Sequence, residues 1–157
     1  MPFIHLTSFI AAAQERVFDL SRSIDLHKSS MKKYDESIID GKQTGLLDLN
    51  ESVTWTARHL FKQRVIRVRL TKLQRPDYFV DEQEEGDFRM MKHEHYFKQI
   101  ENGTIMIDQF HFETPHGFIG RLINNFYLEN YMTQLLKERN KMIKDVAESN
   151  LWKQYLN

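Results

Sequence analysis

Two histidines and an aspartate carry most of the chemistry that this sequence offers. His93 and His95 alternate with Met91 and Phe97 along one run, and Asp108 lies on the next run, followed by Phe110 and Phe112 at the same spacing. An imidazole beside a carboxylate can remove a proton as a general base, or it can fix a ligand's carbonyl or hydroxyl by hydrogen bonding. Two imidazoles can also chelate a metal ion, with His59 or Asp108 as a third ligand. No acidic residue of evident ligand spacing accompanies the pair, so neither a metal nor another cofactor is expected.

These residues share a surface only if the chain around them is a hairpin. Successive strand side chains point to opposite faces, and Glu101-Asn102-Gly103-Thr104 is a turn sequence between the two runs. With Asn102-Gly103 as the turn pair, Glu101 lies opposite Thr104, Phe97 opposite Asp108, His95 opposite Phe110 and His93 opposite Phe112. One face then carries Met91, His93, His95, Phe97, Asp108, Phe110 and Phe112. It is richer in aromatics and poorer in charge than the other, so it is read as the inward face. Asp108 becomes its only carboxylate. A buried carboxylate is costly unless it is paired. His95 on the diagonal is one partner, and Arg139 or a backbone amide is another.

A second strand adds Trp55, Ala57 and His59 at alternate positions, and the small Ala57 between two large side chains leaves space for a ligand. The segment from Arg64 to Leu70 places Ile66, Val68 and Leu70 inward and Arg67 and Arg69 outward. The acidic run that follows (Asp81, Glu82, Glu84, Glu85, Asp87) reads as its oppositely charged neighbour on a solvated face, each pair contributing ~0.2–1 kcal/mol.

Around this centre, residues 2–10 read as a first strand. Ala13, Val17, Leu20 and Ile24 then form the apolar stripe of a helix, and a short helical piece runs from Leu26 to Met31. Strands follow at 36–49, 52–61, 64–74 and 78–83, ahead of the hairpin. A long amphipathic helix closes the chain, with Phe118, Ile119, Leu122, Ile123 and Phe126 in its first turns. Leu128, Met132, Leu135, Leu136, Ile143 and Val146 continue the stripe, and a bend is expected near Asn124-Asn125.

Composition excludes several classes of function. Lys and Arg total 22 and Asp and Glu total 22, for a net charge of zero, whereas nucleic-acid binding relies on a basic excess. There is no cysteine, which removes disulfides, zinc–thiolate sites and cysteine nucleophiles. No apolar run approaches the roughly 18 residues of a membrane span, and no signal peptide is evident. The six glycines are never spaced as a nucleotide loop. A single cytoplasmic domain over 1–157 is expected.

In this order, the residues resemble the SRPBCC (START-like) superfamily, whose members include polyketide cyclases and coenzyme Q-binding proteins. Four stretches carry the resemblance: Val17-Phe18-Asp19 with Ile24-Asp25-Leu26-His27; Ser52 through His59; Lys92 through Phe97 with Gly103-Thr104 and Asp108; and Pro115-His116-Gly117-Phe118 leading to Leu135-Leu136-Lys137-Glu138-Arg139. The resemblance implies an α+β helix-grip fold, a curved antiparallel sheet around the C-terminal helix, with two short helices after the first strand and a ligand cavity between sheet and helix. The expected lining is Trp55, Ala57, His59, Met91, His93, His95, Phe97, Asp108, Phe110 and Phe112 from the sheet, with Leu122 and Met132 from the helix. The expected function is non-catalytic binding of a hydrophobic small molecule, such as a lipid, an isoprenoid quinone or a polyketide-like aromatic. A cyclase or dehydratase using a His-Asp couple is one alternative, and a protein-interaction module is another.

Overall fold

A computed structural model of the chain describes residues 2–114 and 125–156. Strand β1 (Phe3–Ile10) is followed by helices α1 (Gln14–Ser21) and α2 (Ile24–Ser30) and a 3-10 turn at Lys32–Tyr34. Six strands come next: β2 (Ser37–Gly41), β3 (Ser52–His59), β4 (Lys62–Gln74), β5 (Tyr78–Glu85), β6 (Met90–Ile100) and β7 (Gly103–Glu113). Helix α3 (Asn125–Ala147) and a short α4 (Trp152–Leu156) complete the chain. The strands form one antiparallel sheet in the order β1-β7-β6-β5-β4-β3-β2. Register shifts at Ile38/Asp40, Arg67/Val68 and Leu70/Lys72 are bulges of the kind that bend a sheet.

The apolar stripe expected to run through Ile24 is divided between two helices. Val17, Phe18 and Leu20 of α1 are buried, and so are Ile24 and Leu26 of α2. The break falls at Ser23, whose hydroxyl accepts the Leu26 amide at 3.2 Å and so caps α2. Removing such a cap costs about 1 kcal/mol. Ser23→Ala is therefore expected to lower stability by that amount in urea denaturation, with the slope unchanged.

Two expected strands are shorter than the sequence suggested. The run 36–49 pairs only to Gly41, where φ is +86° and a Cβ would sit 2.3 Å from the Ser52 carbonyl oxygen. The run 52–61 ends at His59, which pairs with Lys62. Leu60 and Phe61 make the two-residue turn, with φ of 53° and 66°. That left-handed region is rarely occupied by bulky residues, so the sequence held no turn signal there. Phe61 is 95% exposed.

The main core joins α1, α2, the sheet's concave face and the end of α3. Phe18 stands edge-on to both Phe79 and Phe97, at 5.4 and 5.1 Å between ring centres. On α3, Leu128, Leu135, Leu136, Ile143 and Val146 are buried as their spacing predicts, whereas Phe126 and Tyr127 are exposed. The expected positions Phe118, Ile119, Leu122 and Ile123, and the bend at Asn124, lie outside the described residues.

Candidate functional site

The sheet's concave face and helix α3 enclose a cavity of about 280 Å³. Its walls are mostly apolar: Val53, Trp55, Ala57, Ile66, Val68, Leu70, Phe79, Met91 and Phe110 from the strands, and Leu128, Met132, Leu135 and Leu136 from α3. Asp81, His93, His95 and Arg139 give it a polar floor, and His27, Glu36 and His59 add a second polar group. In strand order, β4 and β5 lie between His59 on β3 and the β6 histidines.

The floor follows from the pairing of β5, β6 and β7. Ile100 pairs with Gly103, so the turn pair is Glu101-Asn102, and the register differs from the expected one by two residues. His95 stands opposite Asp108, His93 opposite Phe110 and Phe97 opposite Met106. An even shift keeps every side chain on its face, and Met91, His93, His95, Phe97, Asp108, Phe110 and Phe112 are all buried. The glycine serves β1 rather than the turn, because a Cβ at Gly103 would lie 2.3 Å from the Ile10 carbonyl oxygen.

Asp108 is not the sole inward carboxylate. Asp81 pairs across the strands with His93, and its side chain is only 19% exposed. It leaves the solvated charge ladder assigned to it from the sequence. That ladder is carried by Glu84, which pairs with Arg67 at 2.9 Å and also with Arg69. Asp87, which pairs with Arg64 at 2.5 Å, sits at the cavity wall.

The two histidines thus serve two carboxylates. His93 Nε2 donates to Asp108 Oδ1 at 2.7 Å, and His95 Nε2 lies 2.7 Å from Asp81 Oδ2. The imidazoles stack with ring centres 3.7 Å apart. His95 Nδ1 is 3.4 Å from Asp108 Oδ1, so the diagonal couple expected from the sequence is the looser contact. Helix α3 closes the network. Asn140 Nδ2 donates to Asp108 Oδ2 at 2.7 Å, and Arg139 Nη1 donates to Asp108 Oδ1 at 3.4 Å and to Asn140 Oδ1 at 2.9 Å. Arg139 Nη2 donates to the Ser21 carbonyl at 3.0 Å.

Burial and the neighbouring His95 push the His93 pKa down to about 4, against the pull of Asp108. Its ring is neutral near pH 7, and with Nε2 donating, Nδ1 keeps a lone pair. Burial alone would raise Asp108, but hydrogen bonds from His93 and His95 and the charge of Arg139 hold it well below the usual carboxylate range. Burial, the largest single effect, would raise Asp81 as well, but the hydrogen bond from His95 and the charges of the two histidines and Arg139 together lower it.

Of the residues expected at the site, Trp55, Ala57, His59, Met91, His93, His95, Phe110 and Met132 line the cavity. Phe97, Asp108 and Phe112 do not: Phe97 belongs to the main core, Phe112 packs against Phe88 and Phe110, and Asp108 stands behind His93. Leu122 lies outside the described residues. The Tyr131 hydroxyl lies 2.9 Å from His59 Nδ1, and Tyr131 also lines the cavity. His27 lies against Trp55, with ring centres 4.6 Å apart and planes tilted by 43°.

No protein-family model matches the chain, and no curated protein matches it in sequence. Solved structures do match. A protein from Thermus thermophilus aligns over 93% of this chain and 99% of its own, with a TM-score of 0.66 and 16% identity. The major latex-like protein 151 of Panax ginseng aligns over 94% and 97%, with a TM-score of 0.67 and 9% identity. The di-domain ARO/CYC StfQ of the steffimycin biosynthetic pathway gives a TM-score of 0.72 at 11% identity, over 94% of this chain and 50% of StfQ. At such identities the likeness is one of fold. The chain has a helix-grip fold, a curved antiparallel sheet around the C-terminal helix. No helix among the described residues is long and apolar enough to cross a membrane.

Proposed function

We propose that this protein binds a hydrophobic small molecule between sheet and helix α3. The observation that carries this reading is the cavity itself, which is apolar on its walls and polar at its floor. Its volume of about 280 Å³ lies near the lower end of the range for small-molecule sites, ~300–1,000 Å³. That favours a compact ring system, such as a polyketide-like aromatic or a quinone head group, over a long acyl chain. Burial of the ligand's apolar body supplies the affinity at ~25 cal/mol per Å², before the cost of association. Asp81, His93, His95 and Arg139 then fix its polar end. A cavity too small for any ligand would have promoted the alternative of a protein-interaction module, and a volume of about 280 Å³ does not.

One observation favours a second reading. His93 is neutral and is backed by Asp108 at 2.7 Å, the arrangement of a general base acting on a carbon acid in a cyclase or dehydratase. Native mass spectrometry of the protein purified without denaturation tests both. A co-purifying small molecule, displaced by organic solvent, is the expected result. Empty protein from every host would overturn the binding reading. A ligand returned one water lighter after incubation would favour the second.

A further inference from the structure

Among the described residues, Asp81, His93 and His95 each place one ligand atom so that all three lie within 4.8 Å of one another. We infer that these three side chains hold a single divalent transition-metal ion, of the zinc or iron(II) kind, at the floor of the cavity.

Three features of the geometry point to it. The first is the donor set: two imidazoles and one carboxylate, from the paired strands β5 and β6, suit a borderline metal rather than calcium or magnesium. The second is what stands behind the imidazoles. A metal-bound histidine almost always donates its other ring N–H to a carboxylate or carbonyl, which fixes its tautomer and raises its basicity. Asp108 offers one oxygen to both rings, at 2.7 Å from His93 Nε2 and 3.4 Å from His95 Nδ1. With His93 Nε2 donating to Asp108, His93 Nδ1 is left to bind metal. His95 Nε2 faces Asp81, and its Nδ1, now 3.4 Å from both Arg139 Nη2 and Asp108 Oδ1, would carry its proton towards Asp108 once Nε2 held the metal. Asn140 and Arg139 hold Asp108 in place from α3. The third is charge: two carboxylates, Asp81 and Asp108, share one guanidinium, Arg139, at the floor of an apolar cavity, and buried charge is costly unless it is compensated.

The closure required is small. A tetrahedral ion about 2.1 Å from each donor holds them roughly 3.4 Å apart. The 2.7 Å contact between Asp81 and His95 opens slightly, and the widest separation closes by side-chain rotation. All three residues line the cavity, so the remaining coordination positions face the space proposed for the ligand. A metal there would take the ligand's carbonyl, enolate or phenolate oxygen directly. The site does not depend on the hydrophobic-ligand reading, because the metal can be titrated with the cavity empty.

The test uses the full chain, stripped with a chelator and titrated with Zn²⁺ by calorimetry and with Co²⁺ by visible absorption. The expected result is one ion per chain and a Co²⁺ spectrum of low-symmetry coordination that Zn²⁺ abolishes. D81N and H93Q should each weaken binding by about tenfold or more, and D108N by about tenfold to a hundredfold, acting through the histidines. H111Q, whose imidazole pairs instead with Glu94 at 3.2 Å, should bind as the parent does. Circular dichroism confirms that each variant is folded. Absence of stoichiometric uptake by the parent, or uptake unchanged in folded D81N, would overturn the assignment. The first of these outcomes would leave the apolar cavity as proposed.

Discussion

Replacing Asp108 by alanine is expected to cost about 3–5 kcal/mol of stability, the usual penalty for breaking a buried charged network from one side. Asp108 is 0% exposed and takes three bonds, from His93 Nε2, Asn140 Nδ2 and Arg139 Nη1. In the variant, Arg139 keeps the Ser21 carbonyl and Asn140 as acceptors, but its charge loses the nearest carboxylate. His93 loses its acceptor while still buried. Metal-free protein should show the loss as a lower midpoint in urea with an unchanged slope. D108N keeps the shape and two acceptor lone pairs, so it should lose less. A cost below about 1 kcal/mol for alanine would mean that the network is no part of the fold's stability.

The same carboxylate sets an acid limb. In the folded, metal-free protein its pKa lies well below the ordinary aspartate value of 3.8, so folding favours the ionised form. The sign follows: this contribution is fully present above the unfolded value near 3.8 and is lost as the pH falls through the folded one. In D108A the limb attributable to this group should disappear.

What could be read from the sequence, and what could not, divides along physical lines. Alternation assigned Met91, His93, His95 and Phe97 to one face of β6, and Asp108, Phe110 and Phe112 to the matching face of β7, because a period of two depends on no partner. Register depends on the turn, and Asn102-Gly103 gave the wrong one. The glycine is required by β1, a strand far away in the chain, and local turn chemistry carries no trace of that. Asp81 was missed for a different reason. Phe79 and Val80 are both buried, so β5 shows no clean alternation, and Glu84 further along does pair with Arg67 and Arg69 on the solvated face. Asn140 left a usable signal: it interrupts the apolar stripe between Leu136 and Ile143, and a polar residue on a buried stripe needs a partner. Leu60 and Phe61 left none.

Filling the cavity from within should separate ligand binding from folding. Ala57 lies on β3 between Trp55 and His59, is buried, and lines the cavity. Its Cβ therefore points into empty space rather than into packed neighbours. Enlarging a side chain in a packed core costs about 1–3 kcal/mol. At Ala57 a phenyl ring enters the cavity instead, so Ala57→Phe should stay folded with a stability change within about 1 kcal/mol. The same ring occupies the volume a ligand needs. Binding of an apolar dye such as Nile red is expected to weaken by about a hundredfold, equivalent to about 2.7 kcal/mol, while Ala57→Ser binds nearly as the parent does. If folded Ala57→Phe binds the dye with undiminished affinity, the dye sits elsewhere, and the cavity between sheet and α3 loses its claim to be the ligand site. If the variant binds no dye yet still takes up one Zn²⁺ per chain, the apolar walls and the Asp81-His93-His95 floor are separable parts of one site, the first holding the body of the ligand and the second its polar end.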